Sequence, residues 1–99
     1  MERLIVLNET VLGLAPHIVF RFDEQRQRWV ILAPERLLLP DEQAVEILKL
    51  VDGKAGVAAI IDVLADRYDQ APRELIARDV TEMLQDLADK GCLARVDTH

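Results

Sequence analysis

The spacing of apolar positions divides the chain at about residue 40. From His17 to Leu39 apolar residues recur with the period of two that marks half-buried strands; from Asp41 to Lys90 they recur at three and four, the period of amphipathic helices. Ile18, Phe20 and Phe22 alternate with Val19, Arg21 and Asp23, placing three large apolar groups on one face of a first strand. The polar run Asp23–Arg28 makes a turn, and Trp29–Ala33 reads as a second strand in which Trp29 and Ile31 share the face that Val30 and Leu32 leave. Pro34 removes a backbone donor and ends that strand. Glu35–Leu39 reads as a short third strand, and connections this brief predict an antiparallel meander.

Three helices follow. Asp41 is a good N-cap, because its carboxylate can accept from the free amides of the first turn. Ala44, Ile47, Leu48 and Val51 then form one apolar stripe, and Asp52-Gly53 is expected to stop the helix. Val57, Ile60, Ile61, Leu64 and Tyr68 mark a second helix behind Gly56, a weak cap. Pro72 suits the first turn of a third, whose stripe is Ile76, Val80, Met83, Leu84 and Leu87 and whose end is Lys90-Gly91. Cys92–Val96 is a candidate closing strand. The expected fold class is therefore α+β: a three-stranded antiparallel sheet followed by a three-helix bundle, in a winged-helix-like order. Residues 17–96 form this domain, without repeat or linker. Residues 1–16 fit two readings, a partly ordered N-terminal arm or a strand that pairs with another element, a second subunit included.

Composition narrows the function classes. With 99 residues the chain is one small domain, burying roughly two-thirds of its surface on folding. Apolar residues make up 51% but aromatic ones only 4%, so the core is aliphatic. The net charge of −6 opposes binding through phosphate neutralisation. Winged-helix DNA binding also fits the last helix poorly, since Arg73–Lys90 sets Arg73, Arg78 and Lys90 against Glu74, Asp79, Glu82, Asp86 and Asp89. The single cysteine, Cys92, excludes an internal disulfide and a multi-thiolate metal site, and suits a reducing cytosol. No apolar run reaches the ~18 residues of a membrane span or forms the core of a secretory signal.

Catalytic groups are sparse. His17 and His99 are the only histidines, and neither lies near Cys92 in sequence; the scattered glycines make no phosphate loop; and the helical carboxylates lie opposite the apolar stripes. No catalytic residue, metal site or cofactor is expected. The informative stretch is Leu37, Leu38 and Leu39. Three consecutive leucines in a strand must point to both faces, and in a meander ordered by sequence the third strand is an edge. Either the last helix covers that edge or an extended peptide adds there as a further strand. A backbone hydrogen bond returns a net ~1 kcal/mol, whereas ordering a peptide residue costs ~1–2 kcal/mol. Side-chain pockets must then supply the affinity, and the groove between Leu37–Leu39 and the third helix is where they would lie. A charge there, as in Leu38→Asp, should weaken binding, on the assumption that Leu38 is not core. Self-association through the apolar edge or the arm is the competing use.

The order and spacing of several pieces resemble one family. Leu32–Arg36 reads LAPER, Asp41 opens an acidic helix start, Lys49–Gly53 reads KLVDG, Arg78-Asp79-Val80 lies in the last helix, and Gly91-Cys92-Leu93 closes the domain. Together these span His17 to Leu93 and resemble the pyrroloquinoline quinone biosynthesis protein D family. The resemblance implies a non-enzymatic peptide chaperone, the prototype of the elements that recognise leader peptides of ribosomally made, modified peptides. It implies that the precursor peptide adds as a strand beside the third strand, against the third helix, and is presented to a radical S-adenosylmethionine enzyme that cross-links a Glu and a Tyr within it. Carried onto this sequence, those elements hold Arg36, Leu37, Leu38 and Leu39, and Ile76, Asp79, Val80 and Met83.

Overall fold

A computed structural model describes residues 3–97; the first two residues of the arm and His99 lie outside them. The meander forms as β2 (Val19–Asp23), β3 (Arg28–Ala33) and β4 (Arg36–Leu38), antiparallel in the order β2-β3-β4. The helices are α1 (Glu42–Leu48), α2 (Val57–Arg67) and α3 (Arg73–Asp89). Two further strands, β1 (Leu12–Leu14) and β5 (Leu93–Arg95), make a small antiparallel sheet of their own. The arm thus pairs within its own chain, with the closing segment.

The core lies between the helices and one face of the meander. Cross-strand neighbours Phe20, Ile31 and Leu38 share that face, and Ile31 is buried with Ile47, Ile60, Leu64, Val80 and Leu84. Val19, Leu32 and Leu37 are neighbours on the opposite face, where Val19 is exposed and the two leucines are half-buried. The first strand's third apolar residue departs from expectation. Phe22 is 42% exposed: at the turn end of the hairpin it lies edge-on to Trp29, at 6.0 Å between ring centroids, and faces α1 across an open cleft.

The arm does more than pair with β5. Gly56, the weak cap of α2, offers no side chain, and carbonyls of the arm cap the helix in its place. The Val57 and Ala58 amides donate to the carbonyls of Thr10 and Asn8, both at 2.9 Å. Farther up, Gln85 of α3 behaves like a strand neighbour, its Oε1 accepting from the Val6 amide at 2.9 Å and its Nε2 donating to the Leu4 carbonyl at 2.7 Å. Val6 and Leu12 are consequently core residues.

Helix ends follow local chemistry at two places and tertiary contacts at a third. Asp41 caps α1 as expected, accepting from the Ala44 amide at 2.8 Å. Lys90-Gly91 closes α3 in a Schellman turn: Gly91 has φ +82°, its amide donates to Ala88 and that of Cys92 to Leu87. The end of α1 corrects the sequence expectation. The helix stops at Leu48, a turn before Gly53. The Asp52 carboxylate accepts from the Lys54 and Ala55 amides, an Asx turn, and the Gly53 amide donates to the Leu12 carbonyl of β1 at 3.1 Å. Residues 51–55 therefore serve the small sheet, and Val51 reaches the core from outside the helix.

Candidate functional site

Three clefts surround the N-terminal end of α1, and together they hold most of the residues the sequence singles out. The first lies along β4. That strand is the edge of its sheet, and among the described residues no hydrogen bond reaches the backbone of Arg36–Leu39 from outside β3. Beside it opens a cleft of about 250 Å³, walled by Leu38, Leu39 and Pro40 on one side and by Met83, Asp86, Leu87 and Lys90 of α3 on the other, with Ile31 and Ala44 beneath. Helix α3 therefore flanks the edge without sealing it. Leu39, just past the strand's end, is 49% exposed.

The predicted site residues divide. Leu38, Leu39 and Met83 meet in this cleft. Ile76, Asp79 and Val80 lie on the same α3 stripe, one and two turns earlier, but line a second cleft of about 560 Å³ between α1, α2 and α3. The first turn of α1 separates the two, with Ala44 on one side and Glu42 and Gln43 on the other. Leu37 belongs to neither, since the register turns it to the opposite face of the sheet. Arg36 fastens the edge to the helix, its guanidinium donating to the Lys90 carbonyl. The assumption behind Leu38→Asp also needs correcting: Leu38 packs partly on the buried cluster, because it shares its face with Ile31. Leu39 is the position that can take a charge without touching the core.

Leu87 and Lys90 escaped the sequence reading of the site. They continue the α3 stripe at four and seven residues beyond Met83, so the helical period carried the signal.

The titratable groups beside the clefts are held by neighbouring side chains or by burial. Glu46, on the wall of the α1–α2–α3 cleft, accepts from the Tyr68 hydroxyl at 2.6 Å and from Arg67 at 2.9 Å; these contacts hold its carboxyl below the usual range and push the Tyr68 phenol up. Cys92 is buried away from all three clefts, and burial raises its thiol pKa, the opposite of activation. Among the described residues no group of three or more His, Cys, Asp or Glu could hold a metal ion.

Comparison with known proteins agrees on one family. The profile described as "Coenzyme PQQ synthesis protein D (PqqD)" matches residues 28–93. A PqqA binding protein of Rhodopseudomonas palustris (strain TIE-1) is 63% identical over 92 residues, 92% of this chain and 89% of that protein. One from Gluconobacter oxydans is 39% identical, over 90% and 92%. The chain also aligns at 47% identity, over 76% of its length, with a fifth of the bifunctional coenzyme PQQ synthesis protein C/D of Methylorubrum extorquens. Among solved structures, the solution NMR structure of the PqqD truncation of Methylobacterium extorquens PqqCD superposes with a TM-score of 0.74 at 41% identity, over 91% of this chain and 95% of that one. That truncation is described as a functional, stand-alone recognition element for ribosomally synthesised, post-translationally modified peptides. The crystal structure of PqqD from Xanthomonas campestris gives 0.52 at 33% identity, over 79% and 86%. With two-thirds of its length matched by the family profile and relatives alike over nearly all of it, this chain belongs to the PqqD family of coenzyme PQQ synthesis proteins.

Proposed function

We propose that this protein is a non-catalytic peptide chaperone of pyrroloquinoline quinone biosynthesis. It binds the ribosomal precursor peptide by strand addition at β4 and presents it to a radical S-adenosylmethionine enzyme that cross-links a Glu and a Tyr. The observation that carries this reading is the unpaired edge of β4 beside an apolar cleft. Names of relatives support it, since they are PqqA binding proteins, as does the recognition-element description of the M. extorquens domain.

A peptide backbone pairs with Arg36–Leu39 while its side chains enter between Leu38, Leu39 and Met83. Ile76, Asp79 and Val80 take a later or earlier stretch of the same peptide in the α1–α2–α3 cleft. Leu37 contributes on the outer sheet face, and Arg36 holds the edge at its distance from α3. The protein works in the cytosol with no cofactor of its own, and its partners are the peptide and the enzyme. The same edge can pair two copies of the chain, and peptide competes with that homodimer.

An isotope-shift map of the protein titrated with the PqqA peptide tests the site. Shifts should concentrate at Arg36–Leu39 and along α3 from Ile76 to Lys90. Shifts confined to other elements would sink strand addition at β4.

A further inference from the structure

The third cleft, about 800 Å³ between the β2–β3 hairpin and α1, is unlike the other two. Its apolar floor is aromatic: Phe22, nearly half exposed, lies edge-on to Trp29, which stacks on Phe20 at 4.7 Å. Its rim carries Arg26, Arg28, Lys49 and Arg67, a third of the cations of an acidic chain. Two of the four are neutralised within the molecule, Arg26 by Asp23 at 2.6 Å and Arg67 by Glu46 at 2.9 Å. The other two make no ion pair within 4 Å among the described residues: Arg28 donates to the Pro40 carbonyl at 3.1 Å, and Lys49 Nζ lies 4.8 Å above the Trp29 ring, near enough to Glu46 to help hold that carboxyl down without touching it. Of the three carboxylates in the lining, Asp41 is occupied by the Ala44 amide and Glu46 by Tyr68 and Arg67, leaving Glu42.

A half-exposed phenylalanine against a half-buried tryptophan, beside two cations that touch no carboxylate, suits a ligand that brings carboxylates together with an apolar side chain. Position says where that ligand comes from. This cleft shares Pro40 and Asp41 with the cleft along β4, so a strand that pairs with β4 and leaves at the Leu39 end passes directly into it.

We propose that the cleft between the β2–β3 hairpin and α1 binds an acidic stretch of the bound peptide, carboxylates beside an apolar or aromatic side chain, as a second anchor next to the strand paired at β4. The proposal rests on the reading of β4 as the peptide edge. Division of labour follows. The edge recognises extended backbone and tolerates many sequences, whereas the aromatic cleft reads charge and so fixes which peptide binds and in which direction. Exposed contacts of this kind are screened over roughly 8 Å at physiological salt, so this anchor is the salt-sensitive part of binding.

Trp29 is the only tryptophan, so its emission reports on this cleft alone. The full chain is titrated with the PqqA peptide and with the same peptide whose carboxylates are amidated, while isotope shifts at Arg36–Leu39 are followed in parallel. Expected are a saturable change in Trp29 emission and roughly a tenfold loss of affinity for the Arg28→Glu/Lys49→Glu variant, with a flatter salt dependence. Amidation should weaken binding to the wild type and not to the variant. Should the reversed pair fail to fold, Arg28→Gln/Lys49→Gln carries the same expectation at a smaller factor. A variant that binds as the wild type does, or a silent Trp29 while β4 shifts saturate, overturns the second anchor and leaves the edge standing. A Trp29 response without any β4 response overturns strand addition instead, and with it the path by which the peptide enters this cleft.

Discussion

The two sheets of this small domain treat their edges in opposite ways. Strand β1 is three residues long, yet all around it is engaged: it pairs with β5, the Val11 carbonyl accepts from Val96, the Leu12 carbonyl from Gly53, and residues just before it cap α2. Strand β4 is equally short and pairs on one side only. Leu12, the first residue of β1, is 1% exposed, while Leu39, just past the end of β4, is half exposed. An unpaired apolar edge is a hazard that folded proteins ordinarily remove. Here one sheet is closed with unusual care and the other is left open beside a cleft. The difference separates the part of the chain that makes the fold from the part available to a partner.

Experiments can press on each side of that contrast. The largest effect is expected from deleting residues 1–16, which strips β5 of its partner, bares the first amides of α2 and opens the core at Val6 and Leu12. Cooperative unfolding in urea should be lost, and a truncated protein with an unchanged transition would mean that the small sheet is decoration. Leu12→Ala keeps the strand and removes only its buried side chain, at a cost of ~2–5 kcal/mol in the same assay. On the open side, Leu39→Asp should change stability by no more than about 0.5 kcal/mol, as exposed positions do, while weakening peptide binding more than tenfold by calorimetry. Equal binding by that variant would close the case for the edge. Between the sheets, Asp41→Ala removes the α1 cap and should cost ~1 kcal/mol.

The smallest effect concerns acid. Arg3, with help from Gln85, holds the Asp89 carboxyl at about 2, below its ordinary 3.8. A depressed carboxyl lends stability that is complete above the ordinary value and disappears as pH falls from about 4 to about 2. Amide signals of residues 3–6 should therefore move in that window, ahead of the meander, and Asp89→Asn should abolish the step.

How far the sequence foretold this arrangement depends on the range of the forces involved. The meander, the apolar faces of α2 and α3, the Asp41 cap and the Gly91 stop are set by neighbours within a turn or two, and each was legible. The β1–β5 pairing was not: a pairing strand in the arm and a closing strand at Cys92–Val96 were both among the expectations, but the two lie some eighty residues apart and alternation cannot name a strand's partner. The premature end of α1 has the same cause: Gly53 answers to Leu12, not to its own helix. At the site, the leucine run announced an open edge. Periodicity correctly placed Ile76, Val80 and Met83 on one face of α3, but it could not say that α1 would split that face between two clefts. Nor could alternation tell Phe22, past the end of the core, from Phe20 within it.

The position of Cys92 has a practical consequence. The only thiol of the protein sits at the seam where α3 ends and β5 begins, buried and with its ionisation suppressed. A membrane-permeant or dissolved alkylating reagent can reach it only when that seam comes apart. Its rate of modification in the native protein therefore acts as a clock for transient opening of that seam, readable by mass alone.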